Sequence, residues 1–302
     1  MPGSLVTPVR ARIRDTEIFF DIDGVGLLAN GPCMCERPTA FLIHGGPGAD
    51  HTILKARYGN FATKMQLVYF DHRGHGRSAR GDVKKYTLDE NVEDMEALRR
   101  YLGIGAIVSI GTSYGGAVAM AHAARYPESV SHLILVASMA SHSGYVERAK
   151  QLAAERGTPE QIAQCDQLFA RAIDTPQKMR RYFEVMGSLY TRKTDPGLSK
   201  EALERAILSP EPLNKAYEPG GFLRSFDLRP ELAEITAPTL ILAGRYDWIC
   251  APEFSEEIHR LIPGSDLRIF EESSHSIAGD EPEKFFDAVA GFIVYNMKPN
   301  RP

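Results

Sequence analysis

The 302-residue chain lacks several things, and each lack excludes a class of protein. It has no apolar run near the roughly 20 residues that a membrane-spanning helix needs. It has no large excess of either charge. The 35 Lys and Arg against 39 Asp and Glu leave −4, which gives no electrostatic case for nucleic acid or an anionic membrane surface. Cysteine is scarce, with Cys33, Cys35, Cys165 and Cys250 the only four. Cys33 and Cys35 form Cys-x-Cys in a Gly/Pro/Asn-rich loop, with no second Cys/His pair at zinc spacing, so reduced cytosolic thiols are expected. The first residues show no basic segment followed by an apolar one, so no secretory leader and a cytoplasmic location are expected. There is no internal repeat and no low-complexity tract. What remains is an ordinary globular composition, 43% hydrophobic and 25% charged, long enough for one large α/β domain with an insertion.

Eight stretches read as strands: 9–14, 16–22, 39–43, 66–70, 107–110, 133–136, 239–243 and 266–270. The middle ones are short apolar runs without alternation, as expected of strands covered on both faces. Helical patterns lie between several of them. Residues 89–102 carry Val92, Met95, Leu98 and Leu102 at helical spacing, and 283–295 carry Phe285, Phe286, Val289, Phe292 and Ile293. Strands alternating with such helices predict a mostly parallel eight-stranded sheet with helices on both faces. Residues 143–226 break the alternation. They hold no convincing strand, while Thr158-Pro159-Glu160-Gln161 reads as a capping box and Thr175-Pro176 as a second helix start. The predicted organisation is a core of residues 1–142 and 227–302 with a helical cap of residues 143–226.

Residues 107–120 read IVSIGTSYGGAVAM: a β-branched strand, then G-x-S-x-G, then a helix former. This is the layout of a nucleophile elbow, in which a tight strand-to-helix turn lifts the Ser113 hydroxyl clear of the sheet. A serine hydroxyl is a weak nucleophile and needs a base. His275 lies in a polar loop after the last strand, at the same sheet edge. The imidazole needs a carboxylate to hold its tautomer and charge. Asp247 follows the strand at 239–243, just past its end. Of the rivals, Glu271 and Glu272 are too close in sequence to reach around the ring, and Asp280 is expected to cap the final helix. Acyl transfer also needs donors for the oxyanion. The N–H of Tyr114 supplies one. The loop His44-Gly45-Gly46-Pro47-Gly48 supplies the second, with Gly46 first choice and Gly45 behind it.

These motifs resemble the α/β-hydrolase fold over nearly the whole chain. H-G-G-P-G at 44–48, the Asp71-to-Ser78 loop, G-x-S-Y-G-G at the elbow and Gly244-Arg-Tyr-Asp247 are similar to proline iminopeptidases and related serine esterases. The resemblance implies that the Asp71–Arg73 loop braces the site. It also implies chemistry without a metal or organic cofactor, a small-molecule acyl substrate, and no nucleic-acid or membrane partner; a homo-oligomer is compatible with it. The chain departs from the bacterial iminopeptidases in the cap, where they carry a Trp- and Glu-containing motif that binds the substrate's amino terminus. The single tryptophan, Trp248, lies outside the cap, and residues 143–226 hold 11 Asp/Glu against 13 Lys/Arg. His44, Trp248, Glu184 and Glu218 are the substrate-binding candidates, the two glutamates as amine ligands. The leading expectation is a serine hydrolase of small carboxylic esters, lactones or activated amides. A proline-iminopeptidase-like aminopeptidase is the second reading, and a ligand-binding receptor on the same fold the third.

Overall fold

The computed structural model describes residues 9–193 and 196–296, without the side chains of 196–199 and 295. The sheet strands are β1 (Arg10–Ile13), β2 (Thr16–Asp23), β5 (Thr39–Ile43), β6 (Gln66–Phe70), β7 (Ile107–Thr112), β8 (Val130–Val136), β9 (Thr239–Gly244) and β10 (Asp266–Phe270). Their order is β1-β2-β6-β5-β7-β8-β9-β10. β1 and β2 are antiparallel to each other and β2 to β6, and every other pairing is parallel. All eight expected strands are in this sheet. The remaining two strands, β3 (Leu27–Asn30) and β4 (Cys33–Glu36), form an exposed antiparallel hairpin where a loop was expected.

The central strands bury both faces, which is why their sequences do not alternate. Phe41, Ile43, Leu133, Leu135 and Ile241 point into one apolar core, with α2 (Leu88–Tyr101), α3 (Tyr114–Arg125) and α9 (Pro252–Leu261). Ala40, Leu42, Ile134, Val136 and Leu242 point into the other, with α1 (Thr52–Tyr58) and α11 (Pro282–Asn296). The short α10 (Ile277–Asp280) leads into α11.

Between β8 and β9 the chain runs through α4 (Tyr145–Arg156), α5 (Pro159–Phe169), α6 (Pro176–Tyr190), α7 (Pro196–Arg205) and α8 (Pro210–Ala216). It leaves and re-enters the sheet layer at one place. Ser141 bridges Asp227, His142 N–H donates to Phe226 O (3.0 Å) and Leu228 N–H to Ala140 O (2.9 Å). Thr158 forms the full capping box of α5, and Thr175 caps α6 through Lys178 N–H. No helix among the described residues is long and apolar enough to cross a membrane.

Candidate active site

β7 ends at Thr112 and α3 begins at Tyr114, leaving Ser113 alone at φ 56°, ψ −125°. A side-chain-bearing residue rarely occupies that region, and such strain persists only where its surroundings enforce it. Here they do. Ser113 N–H donates to Val136 O (2.9 Å), and the Ser138 hydroxyl donates to Ser113 O (2.8 Å). Gly115 has no room for a side chain, since a Cβ there would lie 2.1 Å from Ile43 O. The tight approach seats α3 against β5. The Tyr114 N–H belongs to the first turn of α3, whose amides have no acceptor within the helix and carry its positive end.

Asp247 and His275 meet across two loops at the ends of β9 and β10. Asp247 is wholly buried. Its Oδ1 accepts from the N–H groups of Ile249 and Cys250 (both 2.9 Å), and its Oδ2 faces His275 Nδ1 at 2.7 Å. The two loops are sewn together. Tyr246 N–H donates to Ser273 O (2.9 Å), and Arg245 N–H donates to Phe270 O (3.0 Å).

The glycine loop after β5 packs directly on the elbow. A Cβ on Gly45 would lie 2.9 Å from that of Ser113, and Gly46 has φ +117°. Behind it sits a buried polar cluster. His44 Nε2 accepts from His72 N–H (3.1 Å), so its Nδ1 carries the proton and donates to Gly45 O (2.8 Å). Burial pushes His44 below the usual histidine range, His72 well below it, and His75 down to about 3. Asp71 accepts from His51 N–H (2.9 Å), His51 Nδ1 (2.7 Å) and Arg77 N–H (2.7 Å). Burial is the largest single influence and works to raise its pKa, but the bond to His51, the electrostatic pull of His51 and His44 and the Arg77 N–H together outweigh it, and the carboxyl stays below its usual value. Arg73 is clasped by Asp94 at 2.6 and 2.7 Å.

Ser113, His275, Tyr114, His44, Gly45 and Gly46 all line one cavity of about 660 Å³. Its opposite wall comes from α4, α5, α6 and α8 and the chain just beyond, through residues such as Tyr145, Leu168, Met179 and Leu213. Its size suits a small organic molecule.

Residues 41–282 match the sequence profile of the α/β-hydrolase fold. The chain belongs to the α/β-hydrolase family. It is similar to a proline iminopeptidase of Saccharolobus solfataricus, 30% identical over 279 residues that span 84% of this chain and 85% of the relative. Its backbone is similar to an esterase from Exiguobacterium antarcticum, with TM-score 0.75, 23% identity and coverage of 95% of this chain and 100% of the esterase. It is also similar to a proline iminopeptidase of Mycobacterium smegmatis, with TM-score 0.74, 22% identity and coverage of 96% and 98%. The protein is a hydrolase by family.

The other candidates lie in different settings within this hydrolase. Trp248 is wholly buried outside the cavity wall, its ring edge-on to Tyr190 at 5.5 Å between centroids. Glu184 lines the cavity with a half-exposed side chain, 3.8 Å from Arg181. Glu218 is off the cavity wall and pairs with Lys215. Glu271 pairs with Arg245, and Glu272 lies 3.7 Å from Arg192.

Asp280 is a correction: it does not cap the final helix. Both of its oxygens are taken up elsewhere. Oδ1 accepts from the Thr191 hydroxyl and from the N–H groups of Arg192 and Lys193, and Oδ2 accepts from Ser274 N–H (2.8 Å). The Ser274 hydroxyl also reaches Leu189 O, and Ser276 N–H reaches Tyr190 O (2.8 Å). The end of α6 is thereby fastened to the loop of His275. Cys250 was also missed as a neighbour of the site. Burial pushes its thiol well up, and the adjacent Ser113 hydroxyl offsets only part of that. Its position three residues after Asp247 was the available clue.

Proposed function

We propose that the protein hydrolyses small carboxylic esters, lactones or activated amides through an acyl-enzyme on Ser113. The observation that carries this reading is that His275, held at 2.7 Å by the buried Asp247, lines the same cavity as a serine at positive φ. His275 Nε2 takes the Ser113 proton as Oγ bonds to the acyl carbon, while Asp247 fixes the ring and stabilises its charged form. The N–H groups of Tyr114 and Gly46, with Gly45 as the alternative to Gly46, receive the oxyanion. The carbon–leaving-group bond then breaks, and the leaving group takes the proton from His275. Water attacks the acyl-enzyme with His275 as base and restores the serine. Residues 143–226 act as a cap that shapes the cavity and limits water. Four free thiols fit a cytoplasmic setting.

A second reading, an aminopeptidase, is favoured by the relative named as a proline iminopeptidase. The cavity's charges favour the first. Asp50 is tied to Arg77 at 2.7 Å, and Glu184 and Glu204 are exposed beside Arg181 and Lys200. Comparing p-nitrophenyl acetate with prolyl-p-nitroanilide separates the two, and preference for the anilide would overturn the lead. Absence of fluorophosphonate labelling at Ser113 would overturn both.

A further inference from the structure

Six tyrosines line the cavity, and four of them come from the segment between β8 and β9: Tyr145 on α4, Tyr182 and Tyr190 on α6, and Tyr217 just after α8. Their hydroxyls meet in two pairs, Tyr145 with Tyr217 and Tyr182 with Tyr190, each at 2.8 Å. A pair of hydroxyls holds two protons, and the bond between them uses one. No other described residue accepts the second proton of either pair. Burial raises all four phenols far above neutral pH, so both spare protons are present under working conditions.

The surroundings decide what such donors can serve. Much of the wall is apolar, with Met139, Leu168, Met179 and Leu213 among its residues. Asp50, the one fully buried carboxylate on that wall, is occupied by Arg77 Nη1 and by the N–H groups of Thr52 and Ile207. A cation would find no buried carboxylate free to meet it, since Glu184 and Glu204 stand at the exposed part of the wall beside Arg181 and Lys200, and it would enter at a desolvation cost. A neutral oxygen would satisfy a donor already in place, and an unmet buried donor is costly.

We propose that this cavity selects uncharged esters or lactones that carry a second oxygen acceptor, a ketone or an ether, away from the scissile carbonyl. The spare tyrosine O–H groups hold that oxygen. This rests on the acyl-hydrolase reading above. Tyr190 also stands edge-on to His275, 5.4 Å between centroids, so the Tyr182–Tyr190 pair lies beside the expected base.

The test is a series of p-nitrophenyl esters of one chain length, in which C=O, ether oxygen or an ammonium-bearing carbon replaces a methylene at successive positions. Each kcat/KM is divided by the ester's alkaline hydrolysis rate. Wild-type enzyme should favour oxygen over methylene by about 3- to 10-fold at one or more positions, the range of one neutral hydrogen bond. Single variants Tyr217→Phe and Tyr182→Phe should keep the preference, because the remaining hydroxyl still has a proton to give. Double variants Y145F/Y217F and Y182F/Y190F remove both hydroxyls of a pair, and at least one should lose the preference. The wild-type series decides even if a double variant fails to fold. No oxygen preference at any position overturns the proposal, as does an ammonium that outperforms oxygen, or a preference that survives in both folded doubles. Hydrolysis of none of the esters overturns the acyl-hydrolase reading and this proposal with it. Ester hydrolysis without oxygen preference overturns this proposal alone.

Discussion

Asp280→Ala removes one carboxylate and strands four donors. Asp280 is 2% exposed. Two of its partners, the Thr191 hydroxyl and Ser274 N–H, are bonded in buried surroundings. The Arg192 and Lys193 amides belong to exposed residues and can turn to water. An unmet buried donor costs about 1–3 kcal/mol, so the two buried ones together predict a loss of about 4 kcal/mol. That is a large share of a typical total of about 5–15 kcal/mol. Asp280→Asn is milder and more pointed. Its one oxygen is best placed toward the three donors on the α6 side, which turns the amide against Ser274 N–H. The cost, about 1–3 kcal/mol, then falls on the residue before His275. The expected kinetic result is kcat lowered about 10-fold with KM within about twofold. Urea unfolding of both variants and steady-state hydrolysis of p-nitrophenyl acetate read these quantities. An alanine variant within about 1 kcal/mol of wild type, or an asparagine variant with wild-type kcat, would refute the reasoning.

Ser113→Ala and His275→Ala should each lower kcat at least ~10³-fold with little change in melting temperature. Asp247→Asn should also cost heavily, because an amide donor can face His275 Nδ1–H, and near-wild-type activity there would show that another group is the acid. Gly115→Ala puts a methyl 2.1 Å from Ile43 O; an overpacking cost of about 1–3 kcal/mol is expected, read as a lower urea midpoint. His44, His72 and His75 are held neutral by burial, so below the ordinary histidine value of about 6.5 the unfolded chain binds protons that the fold refuses. Their contribution is complete above that pH and is lost as pH falls, by up to about 1.4 kcal/mol per unit for each histidine, with His75 continuing to about 3. A urea midpoint that stays flat between pH 7.5 and 5 would contradict this.

The eight sheet strands were legible because each carries a local signal, an apolar run closed by turn residues. So was the order of Ser113, Asp247 and His275, which lie just past strand ends. The β3–β4 hairpin was not. All eight of its residues are exposed, so no buried face imposed a pattern, and only Gly31 at φ +60° in its two-residue turn hinted at it. Asp280 was misread because a short-range rule was applied to a long-range residue. An acidic residue near Glu-Pro suggests a helix start, yet three of its partners lie nearly 90 positions away. The Tyr145–Tyr217 pair was equally hidden, since its members are 72 positions apart, whereas Tyr182 and Tyr190 stand eight apart on one helix.

The fastening at the end of α6 bears on how this family can be recombined. The neck at Ser141 and Asp227 looks like a natural seam for exchanging the helical segment with that of a relative. A graft cut there would also replace Leu189, Tyr190 and Thr191, whose carbonyls and hydroxyl meet the histidine loop. The seat of His275 is therefore split between host and insert. A chimera would need the last turn of α6 to remain with the host, or a donor segment already matched to Ser274 and Asp280.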